Sequence, residues 1–183
     1  TFACINYGGT GTSLVYMNPI ISYTEVDGQQ TMFDATVDYS ESNGNPNGQW
    51  EYKSYRTTPV FNNFGTSPTT DGAYTYWGNS SCYVDDDREG HDGYLMFRLA
   101  NGTNYGAAVT FTAPYTGKIS VRMKDDKITL GNANVPQGIH MWKNETTQMD
   151  LTGVLGTLSN SSYSFVEKTY EVTKGETITF ACI

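Results

Sequence analysis

Ala107-Ala-Val-Thr-Phe-Thr-Ala-Pro-Tyr-Thr-Gly-Lys-Ile-Ser-Val121 decides the class of fold. Val109, Phe111 and Ala113 alternate with threonines before the Pro-Tyr-Thr-Gly turn, and Ile119, Val121 and Met123 alternate with Ser120 and Arg122 after it. A period of two buries one face of a strand, while Pro and Gly supply the backbone angles of the turn. The same alternation returns in Ile178-Thr-Phe-Ala-Cys-Ile183. Dense punctuation, as in Ser42-Asn-Gly-Asn-Pro-Asn-Gly48 and Val172-Thr-Lys-Gly-Glu176, leaves no stretch that reads as a long helix. Strands are expected at 1–6, 20–25, 32–39, 50–55, 93–98, 107–113, 117–124, 139–143, 164–172 and 177–183. About ten strands at this spacing predict an all-β fold of two packed antiparallel sheets.

The two ends of the chain carry one sequence. Thr1-Phe2-Ala3-Cys4-Ile5 is repeated as Thr179-Phe180-Ala181-Cys182-Ile183. By average residue usage, a chance match of this kind falls below about one in a million. The simplest explanation is one period of a tandem repeat written with an overlap: 183 residues less the shared five, or 178. A period of that size suits one domain rather than a short-repeat solenoid. The three cysteines then reduce to two positions per period, Cys82 and the shared Cys4/Cys182. They are candidates for one disulfide per period in an extracellular protein, or for two buried thiols.

Composition narrows the partners. Nineteen acidic against eleven basic residues give a net charge of −8, which argues against nucleic-acid backbones and anionic membrane surfaces. No apolar run approaches the roughly 20 residues of a membrane-spanning helix, so membrane insertion is not expected. A targeting segment, if the parent protein has one, lies outside these residues.

The succession Asn47-Gly-Gln-Trp-Glu-Tyr52, Ala107–Val121, Gly138-Ile-His-Met-Trp-Lys-Asn144 and Val172-Thr-Lys-Gly-Glu-Thr-Ile-Thr-Phe180 resembles jelly-roll β-sandwich modules. Such modules occur in large extracellular bacterial proteins, many of them carbohydrate-active. In that pattern a closing Asn-Pro-x-Ile-x-Tyr strand comes last; here Met17-Asn-Pro-Ile-Ile-Ser-Tyr23 comes first. The resemblance therefore implies that residues 1–25 complete the preceding repeat, or a neighbouring or permuted copy, and that 26–183 form the module. The junction elements are Thr1, Phe2, Cys4, Ile5, Pro19, Ile20, Ile21, Tyr23, Thr179, Phe180, Cys182 and Ile183.

Three kinds of site are candidates. Asp85, Asp86, Asp87, Glu89 and Asp92 offer hard oxygen ligands for calcium, beside the alternative of a solvated acidic loop. Tyr74, Tyr76 and Trp77, in Gly/Asn/Ser-rich surroundings, could stack on a sugar ring, whereas Trp50 and Trp142 read as core residues. Sequons at Asn79, Asn101, Asn144 and Asn160 mark exposed loops and candidate glycan acceptors. Enzyme chemistry is not expected: the two histidines, His91 and His140, lie in unrelated contexts, and no nucleophile-elbow or phosphate-loop motif occurs. The expected function is a structural unit of an extracellular or cell-surface bacterial filament, with other copies of itself as partners. The runner-up is a non-catalytic carbohydrate-binding module with glycan partners.

Overall fold

The computed structural model describes residues 13–24, 31–56, 60–72, 74–79, 82–86, 93–99, 105–131 and 138–182. In chain order the first nine strands are β1 (Ser13–Met17), β2 (Pro19–Tyr23), β3 (Met32–Asp34), β4 (Trp50–Arg56), β5 (Val60–Asn63), β6 (Thr69–Asp71), β7 (Tyr74–Asn79), β8 (Cys82–Asp86) and β9 (Leu95–Leu99). They are followed by β10 (Tyr105–Thr112), β11 (Gly117–Met123), β12 (Lys127–Leu130), β13 (Ile139–Lys143), β14 (Thr147–Gln148), β15 (Leu155–Ser159), β16 (Ser162–Phe165), β17 (Lys168–Val172) and β18 (Thr177–Cys182). Three sheets result, in the orders β15-β16-β12-β1-β9-β8-β7-β6, β14-β13-β18-β10-β4-β5 and β17-β11-β2-β3. The fold is all-β and its paired strands run antiparallel.

Register explains why these residues take these places. Val109 faces Phe180 and Tyr52, and Phe111 faces Ile178 and Trp50, so one side of the six-stranded sheet is apolar across three strands. Ala108 opposite Ala181 and Thr110 opposite Thr179 form its other side. The apolar side meets the other two sheets in one shared core. Trp77 of β7 stacks on Tyr52 at 5.9 Å between centroids, and Phe33 of β3 lies 5.3 Å from Phe111. Full burial of side chains of this size contributes about 1.5–3 kcal/mol each.

Several expected strands are redrawn. Residues 32–39 form a strand only over β3, because the Asp34 carboxylate accepts the amides of Thr36 and Val37 at 3.0 and 3.1 Å and turns the chain. Residues 164–172 divide at Val166 into β16 and β17, which belong to different sheets. The expected strand at 93–98 begins later, at Leu95. Eighteen described strands replace about ten, since short hairpins such as β6–β7 and β7–β8 fill stretches that read as loop. The expected strand 1–6 lies outside the described residues.

The segment expected to complete a neighbouring repeat pairs within its own chain. β1 lies between β9 and β12, and β2 lies between β11 and β3. Val15, Met17 and Ile21 are fully buried there, and Pro19, Ile20 and Tyr23 are buried beside them. Among the described residues no helix is long and apolar enough to cross a membrane.

Candidate functional site

The repeated five-residue sequence sits in the most enclosed position of the six-stranded sheet. β18 pairs with β10 along one edge, from Thr112↔Thr177 to Ala107↔Cys182. It pairs with β13 along the other, from Lys143↔Ile178 to Ile139↔Cys182. Phe180 and Cys182 point into the common core, while Thr179 and Ala181 point to the opposite face and are also buried. Every described residue of the repeated sequence is therefore enclosed on both edges and both faces. Thr1, Phe2, Cys4, Ile5 and Ile183 lie outside the described residues.

Side chains from neighbouring strands roof the outer face of this slot. Tyr55 and Trp142 pack over the small Ala108 and Ala181, with Phe61 at their edge. Tyr55 stacks on Phe61 at 5.0 Å, and Phe61 meets Trp142 edge-on at 5.9 Å. The Trp142 indole N–H is buried without a hydrogen-bond partner. Beside the rings, the Thr179 and Thr110 hydroxyls lie 2.9 Å apart, and Thr110 donates to Glu145 at 3.2 Å. Lys53 bridges Glu145 at 2.6 Å and Glu51 at 2.8 Å. Burial works against the Lys53 charge, but the two carboxylates outweigh it and hold its pKa above the ordinary value.

The turn entering the slot is fastened too. The Glu176 carboxylate accepts the Thr173 amide at 2.8 Å, the Lys143 ammonium at 2.9 Å and the Asn144 side-chain amide at 3.3 Å. These contacts, led by the Thr173 amide, hold its pKa below the usual carboxylate range. Asn144 also accepts the Thr177 amide at 2.9 Å. A glycan on Asn144 would disturb this clamp, although the residue is exposed. Of the other sequons, Asn79 accepts the Cys82 amide at 3.1 Å across the β7–β8 turn, and Asn160 occupies the exposed turn between β15 and β16. Asn101 lies outside the described residues.

The exit of the slot and the start of β1 lie at the same end of the molecule. Cys182 pairs with Ala107 near the beginning of β10, and Ser13 pairs with Leu99 at the end of β9. Leu99 and Tyr105 bound the connection between those two consecutive strands.

Cys82 and Cys182 enter the core from opposite sheets, and both are free thiols. Cys82 donates to the Gly106 carbonyl at 2.9 Å, immediately before the residue that pairs with Cys182. Burial pushes the Cys82 thiol up to about 12. Burial raises Cys182 too, and proximity to Cys82 adds to the rise. No disulfide joins them in this structure, and Cys4 lies outside the described residues.

The remaining candidates are placed as follows. Asp85 and Asp86 meet Glu41, a residue the acidic run did not suggest, with carboxylate oxygens within 4.8 Å of one another. Asp87, Glu89 and Asp92 lie outside the described residues. Three oxygen donors fit calcium chemistry in kind but supply only part of its usual six to eight ligands. Tyr39 lies near this group: burial first, then Asp85, Glu41 and Asp86, raise its pKa. Tyr74 is exposed at 53%, whereas Tyr76 and Trp77 are buried on opposite faces of β7, so the three do not form one platform. Trp77 belongs to the core and donates to the Ser40 carbonyl at 3.0 Å; Tyr76 stacks on Tyr83 at 4.3 Å. Trp50 and Trp142 are both buried as expected, Trp50 in the shared core and Trp142 in a second cluster with Tyr55 and Phe61 on the other face of the sheet. Strand alternation relative to Met141 was the available signal for that orientation. Set against protein-family models, curated proteins and solved structures, the chain matches none.

Proposed function

We propose that this chain is the structural unit of an extracellular bacterial repeat polymer, a filament or surface stalk, whose units join through their terminal strands. The observation that carries the reading is the place of the repeated sequence. Thr179–Cys182 fill a central slot with partners on both edges, and one folded unit offers one such slot. Two identical segments cannot both occupy it. In a tandem chain of period 178 the conflict disappears, because the last five residues of one copy are the first five of the next. The closeness of the slot exit to β1 supports the same reading: a short link carries the chain from the filled slot into β1 of the same body. β1 and β2 of one copy could thus complete the unit before it. A two-sheet β-sandwich of jelly-roll type, with the four-stranded sheet extending it, is the architecture this reading takes for each unit.

Electron microscopy of the native material tests the proposal. Rows of globules of uniform size and spacing are expected, and dispersed single globules would overturn it.

A second reading, a non-catalytic glycan-binding module, is favoured by the outward cluster of Tyr55, Phe61 and Trp142 beside Lys53, Glu51 and Asn63. Mutual packing already covers most of the Tyr55 and Trp142 rings, which weighs against it. A glycan array read with the native chain and with Trp142→Ala separates the two readings. Signal lost in the variant supports glycan binding, and a blank array removes it.

A further inference from the structure

We propose that Cys82 forms a disulfide, during folding, with the cysteine of whichever copy of Thr-Phe-Ala-Cys-Ile fills the central slot, and so staples the junction strand to the opposite sheet. The geometry sets both cysteines against the same part of β10. Cys82 is on β8 of the eight-stranded sheet and Cys182 on β18 of the six-stranded sheet, and both side chains belong to the shared core. The Cys82 sulfur is 2.9 Å from the Gly106 carbonyl oxygen, and the next residue, Ala107, pairs directly with Cys182. Both cysteines thus adjoin the same Gly106-Ala107 step of β10, one through a sulfur contact and the other through strand pairing.

The sequence identity makes the partner exchangeable. A segment Thr1–Ile5 placed in the slot would set Cys4 where Cys182 stands. In the repeat polymer those two cysteines are one residue, so the bond would seal each junction. The Cys4 half of the proposal rests on the joining of copies proposed above; the Cys82–Cys182 half does not.

The timing follows from burial. Both native thiols are sealed from solvent and held protonated, and the thiolate is the attacking species. Closure therefore belongs to the folding chain, before the sheets meet. With a small-molecule disulfide such as oxidised glutathione as oxidant, one cysteine thiolate attacks it, releasing one reduced glutathione and leaving a mixed disulfide. The second cysteine, as thiolate, attacks the protein sulfur of that bond and releases the second glutathione. Two thiols are oxidised to one disulfide, and one glutathione disulfide is reduced to two thiols.

The test is refolding of the full chain in a glutathione redox buffer, followed by peptide mapping without reduction and light scattering in parallel. Cys82–Cys182 should be the main cystine, with Cys4 left free. In Cys182→Ala, Cys82 should instead be linked to Cys4. In Cys82→Ala neither of the other cysteines should be protected from alkylation by a specific bond. Should Cys182→Ala not fold, Cys182→Val keeps the slot filled and gives the same readout. A Cys82 thiol that stays free in the refolded native chain overturns the proposal. Cys82–Cys182 formed, but no Cys4 linkage in the variant, overturns exchange alone. Light scattering should report monomers, since a single chain closes its own unit; dispersed globules in the native material, alongside a correct Cys82–Cys182 bond, would count against the joining of copies and not against the bond.

Discussion

Phe180 shows how one side chain of the repeated sequence is used. It is enclosed by Val109 and Met141 across the strand pairs and by the common core. Phe180→Ala removes a ring and leaves a cavity, so a loss of about 3–5 kcal/mol is expected in denaturant unfolding. Ala181, on the other face, is tight for the opposite reason. Ala181→Leu would drive into the Tyr55–Trp142 roof and cost about 1–3 kcal/mol through overpacking. The titratable groups set two pH limits. Burial lowers the pKa of His140, so the unfolded chain takes up that proton more readily than the folded one. Its contribution is present above the unfolded pKa of about 6.5 and is lost as the pH falls below it. Melting temperature should therefore decline on acidification from that point, and His140→Gln should flatten the slope. Tyr39 and Tyr52 shift the other way, chiefly through burial. The folded state keeps those protons longer, so stability should fall as pH rises past about 10, where the unfolded groups ionise. A melting temperature that stays level to pH 11 would contradict their burial.

At the scale of elements, redundancy is the consequence to test. Thr1–Ile5 and Thr179–Ile183 have the same side chains, and in the proposed polymer they are the same residues. Deleting 1–5 should leave folding intact. Deleting 179–183 should also leave a folded protein, because the remaining copy fills the slot. Deleting both exposes the inner edges of β10 and β13 and should abolish the cooperative transition seen by circular dichroism. If removal of 179–183 alone unfolds the chain as fully as the double deletion, the two copies are not equivalent. Much of this element-level picture could be read in the sequence. β10, β11 and β18 show clean alternation because each has one face in the shared core. β7 and β8 were less legible, since a Gly-Asn turn between aromatics looks the same in a loop as in a hairpin. There Gly78 is needed: a β-carbon would meet the Cys82 carbonyl oxygen at 2.3 Å. The partnership of Glu41 with Asp85 and Asp86 had no local signal, because it arises when distant strands pack.

For the whole molecule, the placement of β1 and β2 bears on the proposed joining of units. As a single chain they close their own unit, between β9 and β12 and between β11 and β3. In a row of identical units the same strands fit the same places in the unit before, since all units offer identical neighbours. Exchange of this kind joins units without requiring a new surface. The central claim is that successive units share the five repeated residues. Intact mass of the native material, denatured and fully reduced, tests it most directly. The account predicts a species, or a ladder from partial cleavage, whose mass grows in steps of the 178-residue period, each shorter than this 20.2 kDa chain by Thr-Phe-Ala-Cys-Ile. A single species of 183 residues and 20.2 kDa would contradict it.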